Sequence, residues 1–306
     1  MRKLSEGNKM FISVMIIFCV YALIFILFED YDRIYLNPFD EASDWHLLIF
    51  SFVVMFGLSY LLLRYAKKMD ERIRLEQSTK ENKMRRELTQ NIAHELKTPV
   101  ASILGFTETI INNPNLSSSQ KNEFIVRTHA QAERLTNLLQ DLSMLNRMDY
   151  APEMISMQKM DVNEIISEIT KETSLSMSQK GIKLNNYLPS SVFVTGNYAL
   201  LYSIFRNLFD NSINYAGDGS TIEINTTELS DSWQFTFSDN GQGISEKHLS
   251  RIFERFYRID KGRSRTFGGT GLGLSIVKNA VVLHGGNIHA EKNQDQGIRF
   301  VFTLKK

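Results

Sequence analysis

Asn91-Ile92-Ala93-His94-Glu95-Leu96-Lys97-Thr98-Pro99 is the stretch on which the reading of this chain turns. A histidine is followed at once by a carboxylate, with Thr98 and Pro99 close behind. Around it, Ile92, Leu96, Pro99, Ile103, Phe106 and Ile110 keep the alternating four-three spacing of a packed helix seam. His94 falls two residues after Ile92, so it points away from that seam. A histidine held off the core beside an acid can act as a nucleophile or as an acid–base group. An exposed helical histidine is also an ordinary surface residue, so the rest of the chain has to decide. A zinc-protease helix is excluded, because its second histidine would fall at position 98, which is Thr.

The second helix of this region is predicted from about Ser118 to Met148. Phe124, Thr128, Gln131, Leu135, Leu138, Leu142 and Leu145 carry the same seam spacing. Asn112 to Ser119, with Pro114, suits the turn of a helical hairpin. Two long helices have too little core to stand alone. Two copies would close a four-helix bundle, so a homodimer is expected. Pro99 should bend the first helix one turn past His94.

Length and composition frame this core. The 306 residues suggest about two domains. The formal net charge of +1 offers no broad basic surface, so no nucleic-acid partner is expected. The single cysteine, Cys19, excludes a disulfide framework.

Upstream, residues 1–9 read as a short tail. Residues 10–28 form an uncharged run, which as a helix would be about 28 Å long against a hydrocarbon core of about 30 Å. Residues 46–63 form a second such run. The first is too long for a signal-peptide core, lacks a small-x-small cleavage site and is followed by another span. Arg2, Lys3 and Lys9 precede the first run, and Arg64, Lys67 and Lys68 follow the second. The intervening loop, 29–45, carries six acidic residues against Arg33 alone. The positive-inside rule therefore predicts a multi-pass protein of the cell membrane, with both termini cytoplasmic and the loop outside. The loop is too short to fold as a sensory domain. Its acids could attract metal ions or cationic peptides, or form a solvated turn. Residues 64–83 read as a connecting helix leading to the hairpin, 84–148.

Residues 149–159, with Pro152, read as a linker, and 160–306 as an α+β domain. A helix is predicted over 162–180, stopped by Gly181. Strands follow at 182–188 and 191–195, a helix at 198–215, and paired strands at 221–227 and 233–238. After a long polar loop come a helix over 270–283 and a closing hairpin, 287–291 with 297–304. Three polar clusters sit on this scaffold. Asn207 and Asn211 share one helix face, and amide oxygens can ligate Mg²⁺. Asp239-Asn240-Gly241-Gln242-Gly243 follows a strand; the carboxylate can accept from a base amino group while glycines admit a flat ring. Gly268-Gly269-Thr270-Gly271-Leu272-Gly273-Leu274 opens a helix, as phosphate cradles do. Between the last two lies Phe253-Glu254-Arg255-Phe256-Tyr257-Arg258, followed by the basic, polar 261–266. It is either a plain surface loop or a source of cations for nucleotide phosphates. Each cluster is weak alone; in this order they describe an ATP site with a flexible lid.

With these motifs in order, the chain resembles the sensor histidine kinases of bacterial two-component systems. The H box lies at His94, the N box at 207–215, the G1 box at 239–243, the F box at 253–258 and the G2 box at 268–274. The resemblance covers the dimerisation and phosphoacceptor hairpin and an α/β sandwich of the Bergerat, gyrase-like type. It implies that His94 takes the γ-phosphate of ATP, with Glu95 as general base. It implies that Thr98 positions water for dephosphorylating a response regulator, whose aspartate receives the phosphoryl group. Asn211 and Asn207 would hold Mg²⁺, and Asp239 the adenine amino group. Gly241, Gly243, Gly269, Gly271 and Gly273 would shape the pocket. Tyr215, Thr270, Leu272, Arg255 and Arg258 belong to the same nucleotide boxes.

The N box departs from the family in having Asn214 where a basic residue is usual, which removes one phosphate contact. No relay module or extracytoplasmic sensor is recognisable, which is similar to the intramembrane-sensing members that take input from a partner membrane sensor or transporter. The alternatives are a phosphatase-dominant enzyme and a non-catalytic, nucleotide-binding membrane scaffold. A gyrase-type ATPase would account for the ATP domain but not the hairpin.

Overall fold

The structure is a computed structural model that describes residues 19–20, 24, 26–27, 45–259, 269–293 and 296–306, apart from the side chains of residues 45–48, 50, 81, 84 and 85. It divides into two compact units, Met1–Glu87 and Leu88–Lys306. The predicted first span (10–28, but for those five residues) and the loop 29–44 lie outside the described residues.

In the first unit the described chain is those five residues and the start of α1 (Trp45–Asn112). Val53, Phe56, Leu58, Leu61 and Tyr65 are exposed along it. Among the described residues no helix is long and apolar enough to cross a membrane; the predicted second span includes 46–48 and 50, whose side chains are not described.

In the second unit α1 completes its course and pairs with α2 (Ser118–Tyr150). Pro99 lies buried inside α1, which runs on to Asn112, so the proline does not end the helix. Every seam position of the two helices is buried or half-buried. Phe106 meets Phe124 across the hairpin, with ring centroids 5.9 Å apart. The turn is closed by a capping box. Gln120 N donates to Ser117 Oγ at 3.2 Å, and Ser117 N donates to Gln120 Oε1 at 3.0 Å. The box satisfies two donors that the start of α2 would otherwise leave open.

The α/β part begins earlier than the linker reading allows. After a 3₁₀ turn, Pro152–Met154, comes β1 (Gln158–Asp161), paired antiparallel with β3 (Phe193–Gly196). Four residues, two exposed and then two half-buried, give no alternation to detect. Between them run α3 (Val162–Gln179) and β2 (Lys183–Asn186). Then follow α4 (Tyr198–Tyr215), β4 (Thr221–Glu228), β5 (Ser232–Asp239), the short α5 (Glu246–Leu249), α6 (Gly273–Leu283), β6 (Ile288–Lys292) and β7 (Ile298–Lys305). Helix α5 lies in what reads as loop. Helix α6 starts later than 270, because Gly271 takes a positive φ of 75°.

The main sheet has the order β2-β4-β5-β7-β6, with β2 parallel to β4 and the rest antiparallel. On α4, Leu201, Ile204, Phe205, Leu208 and Phe209 recur at helical spacing and are fully buried. On β5, Phe235 and Phe237 alternate onto the same core. Phe205 packs edge-on to Phe235 and Phe209 edge-on to Phe237, with centroids 5.6 and 5.3 Å apart. Phe302 of β7 stacks on Phe235 at 5.3 Å. Burial of each such ring contributes about 2–3 kcal/mol. This core fixes α4 against the sheet, and α4 carries the first polar cluster.

Candidate functional site

His94 stands on α1 with its side chain 65% exposed, as its place off the seam predicts. Its Nδ1 is 3.7 Å from Glu95 Oε1, just beyond hydrogen-bond length. Glu95 turns the other way along the helix surface and is only 17% exposed. Its Oε2 accepts from Arg134 Nη2 of α2 at 3.3 Å and lies 3.7 Å from Arg258 Nη1. Thr98 Oγ1 donates back to the His94 carbonyl at 3.3 Å, a one-turn bond within α1.

Helix α4 joins the clusters of the α/β domain. Asn207 Nδ2 donates to Ser203 O at 2.8 Å and to Ser203 Oγ at 3.1 Å, which leaves Oδ1 as the outward acceptor. That oxygen faces Gly273, where a Cβ would come within 2.3 Å of it. Asn211 lies one turn further on. Ser212 Oγ donates to Asp239 Oδ2 at 2.7 Å, and Gly241 N donates to Asp239 Oδ1 at 3.0 Å. Asp239 is thus fixed at the end of β5, 4% exposed. Gln242 N donates to Ala216 O at 3.3 Å, and a Cβ at Gly241 would lie 2.4 Å from Ala216 Cα. One helix therefore touches the Asp239 turn at two points and the glycine-rich helix start at a third. Gly243 has a positive φ of 65° beside Gly297. Tyr215, at the end of α4, is exposed.

The glycine-rich stretch and the aromatic segment before the lid are stitched together. Phe256 N donates to Gly271 O at 2.8 Å, and both residues have positive φ. Leu272 is fully buried and its N donates to Thr270 Oγ1 at 3.2 Å. Gly269 is half-buried; Gly268 and the basic 261–266 lie outside the described residues.

Arg255 and Arg258 of this segment contact the hairpin. Arg255 Nη2 grips both carboxylate oxygens of Asp149 at 2.8 and 2.7 Å, and Arg258 reaches Glu95. Thr270 Oγ1 donates to Asp141 Oδ2 at 3.1 Å. The α/β domain is thus docked on the hairpin through three carboxylates of α1 and α2. Burial pushes the Asp141 carboxyl up to about 6, only partly offset by the Thr270 hydrogen bond. Asp210, within the first cluster, is held by Arg206 Nε at 3.1 and 3.0 Å and points to that ion pair rather than to a metal.

Several partners escape a reading of the sequence: Arg134, Asp141 and Asp149 on α2, Ser212 on α4, and Gly297 and Asn293 near β7. Asn293 Nδ2 donates to Asp239 O at 2.9 Å, and a Cβ at Gly297 would lie 2.0 Å from that same oxygen. A helix-spaced serine or a hairpin glycine carries no signal of its own. The one available hint is that Ser212 falls between Asn211 and Ile213, inside a polar cluster on an otherwise apolar helix.

Taken together these features define a phosphoacceptor-type helical hairpin bearing an α/β ATPase fold. The family described as "His Kinase A (phospho-acceptor) domain" matches residues 84–151, and "Histidine kinase-, DNA gyrase B-, and HSP90-like ATPase" matches residues 196–306. The chain belongs to the two-component sensor histidine kinases. It is 30% identical over 220 residues to the sensor-like histidine kinase SenX3 of Mycolicibacterium smegmatis, covering 72% of this chain and 57% of that protein. It is 31% identical over 225 residues to the signal transduction histidine-protein kinase BaeS of Escherichia coli, covering 74% and 48%. The chain thus spans about half the length of these curated relatives. Among solved structures, the Acinetobacter baumannii histidine kinase AdeS matches with a TM-score of 0.56 at 22% identity, over 69% of this chain and 97% of that one. Histidine kinase ThkA, solved in complex with response regulator protein TrrA, matches with a TM-score of 0.57 at 20% identity, over 76% and 67%. At such identities the likeness is one of fold.

Proposed function

We propose that the chain is a membrane-bound, homodimeric sensor kinase that phosphorylates itself on His94 from ATP and passes the phosphoryl group to an aspartate of a response regulator. The observation that carries this reading is the exposed His94 ring beside Glu95, on a hairpin where an ATP-type domain is docked. In the reaction an imidazole nitrogen attacks the γ-phosphorus, a P–N bond forms and ADP leaves. Glu95 Oε1, 3.7 Å from Nδ1, closes to hydrogen-bond distance and takes the Nδ1 proton as Nε2 attacks. Such transfer depends on positioning and charge stabilisation, so relative placement of the two domains controls it.

Asp239 receives the adenine amino group, and the backbone of 269–273 follows the phosphates. Mg²⁺ suits the donor set: Asn207 and Asn211 offer hard amide oxygens, and the Asn207 oxygen is already turned towards the glycine-rich stretch. The ion would neutralise charge on the transferring phosphate. Among the described residues no cluster of His, Cys, Asp and Glu offers a competing metal site.

The apolar runs 10–28 and 46–63, with the exposed Val53, Phe56 and Leu61, support two membrane spans with both termini cytoplasmic. Val100, Leu104, Ile125 and Val126 are exposed on the hairpin and support a second copy as its cover. The short outer loop favours input through a partner membrane protein. A phosphatase-dominant balance has one observation in its favour: Arg255 and Arg258 are engaged with hairpin carboxylates.

The test is incubation of the full chain with γ-labelled ATP and Mg²⁺. Acid-labile, alkali-stable label on the wild type and none on His94→Gln is the expected result. Equal labelling of the variant would remove His94 from the mechanism.

A further inference from the structure

Glu95 is a shared acceptor. Its Oε2 is approached by two guanidiniums, Arg134 at 3.3 Å and Arg258 at 3.7 Å, while Oε1 faces the His94 ring at 3.7 Å. The two arginines differ in origin. Arg258 belongs to the ATP domain and must leave whenever that domain moves to deliver phosphate. Arg134 stands on α2 of the same hairpin as Glu95 and His94, so it stays. Its side chain is 14% exposed, and such a half-buried, charge-assisted contact is screened less than a surface pair.

A carboxylate free to rotate on its stem would present either oxygen, or neither, to the neighbouring ring. Pinning Oε2 leaves Oε1 as the atom that meets Nδ1. The proton then stays on Nδ1, and the lone pair that attacks phosphorus stays on Nε2.

We propose that Arg134 is a positioning residue for phosphotransfer: it holds the Glu95 carboxylate so that its second oxygen sets the tautomer of His94. This rests on the kinase reading of His94. Arg134 acts only through Glu95 and touches neither nucleotide nor phosphate.

The experiment uses the full chain and compares wild type, Arg134→Gln, Arg134→Lys, Glu95→Gln and the double variant Glu95→Gln with Arg134→Gln. Two readouts are taken: initial autophosphorylation rate against ATP concentration, and the ¹⁵N spectrum of histidine-labelled protein without nucleotide. Misplacement of a catalytic group by about 1 Å costs about 100-fold. Arg134→Gln is therefore expected to lose about 100-fold in kcat with KM for ATP unchanged, Arg134→Lys to recover part, and the loss to vanish in the Glu95→Gln background. The His94 ring should pass from one Nδ1-protonated form to a mixture of tautomers in Arg134→Gln. A loss of equal size in both backgrounds, or a change confined to KM, overturns the proposal. If the wild type takes no phosphate, the kinase reading falls and the ring spectrum decides alone: identical His94 signals in wild type and Arg134→Gln sink the role of Arg134.

Discussion

Thr270 donates its hydroxyl hydrogen to Asp141 at 3.1 Å, so the glycine-rich stretch of the ATP domain is hydrogen-bonded to the second helix of the hairpin. The same hydroxyl accepts from Leu272 N at 3.2 Å, directly before α6. One threonine thus couples the start of α6 to the face on which the domain rests.

That coupling makes docking sensitive to pH. Burial raises the Asp141 carboxyl from 3.8 to about 6 in the docked arrangement. The raised value means that the docked state favours the protonated acid. The contribution is complete below about pH 4 and fades as pH rises through about 6, a swing on the order of 3 kcal/mol. Hydrogen exchange of α6 in the full chain should quicken as pH is raised from 5 to 8, after correction for intrinsic exchange. Asp141→Asn, which mimics the protonated acid, should flatten that dependence. An unchanged pH profile in Asp141→Asn would remove Asp141 as its source.

His284 is a second buried group with a calculable pH effect. It is 3% exposed; its Nδ1 bonds Ala280 O at 2.6 Å and its Nε2 accepts from Asn197 N at 3.1 Å. Nδ1 therefore carries the proton and the ring is neutral. Burial lowers its pKa below 6.5. A lowered folded value leaves the stabilisation intact above about pH 6.5 and removes it as pH falls towards the folded value. Protonation would also cost the bond that holds the cap of α4, Asn197. Thermal melting of the α/β domain should drop as pH falls from 6.5 to 5. His284→Phe should be less stable at pH 7.5, by about 1–3 kcal/mol, with a shallower acid dependence of melting. A variant that keeps the wild-type slope would clear His284.

How far the sequence reveals this molecule depends on the range of each interaction. The hairpin is legible because Ile92 to Ile110 and Phe124 to Leu145 repeat with a helical period, and burial follows that period position by position. The paired strands are legible because Phe235 and Phe237 alternate inward. β1 is not, since its four residues are stabilised by pairing with β3, more than thirty residues away. The residue types of the nucleotide boxes are local and readable, whereas their partners are not. Ser212 reaches Asp239 and Arg258 reaches Glu95 only after the chain has folded. The residues alone leave Arg255 and Arg258 open between a plain surface loop and phosphates, and their contacts with Asp149 and Glu95 arise only in the fold.

Gly297 shows how a distant partner can be decisive. It takes a positive φ of 93°, and a Cβ there would lie 2.0 Å from Asp239 O and 2.8 Å from Asp239 Oδ1. Alanine would meet both a strained backbone and a backbone clash, costing about 1–3 kcal/mol. The clash falls on the carboxylate assigned to adenine, so nucleotide affinity should suffer beyond stability. Gly297→Ala is expected to bind a fluorescent ATP analogue at least about tenfold more weakly at a temperature where it stays folded. Gly217→Ala is the control: φ is also positive, at 106°, but nothing lies within 4 Å of the added Cβ. Equal affinities for the two variants would mean that strain alone is at work.

On the proposed reading, Thr98 is expected to separate two activities at one helix turn. Its hydroxyl is tied to the His94 carbonyl at 3.3 Å, so it does not contact the His94 ring. Removing it should leave autophosphorylation near wild type, because Glu95 and Arg134 retain their contacts. Dephosphorylation of the regulator would differ, since a water must be held in line with the aspartyl phosphate, the role proposed for the Thr98 hydroxyl one turn from His94. Thr98→Ala should therefore keep autokinase within about twofold and lengthen the half-life of the phosphorylated regulator by at least about tenfold. Thr98→Ser, which keeps the hydroxyl, should restore much of the hydrolysis. A regulator half-life that is the same with wild type and Thr98→Ala would remove Thr98 from that step and leave its hydroxyl as a helix-surface contact only.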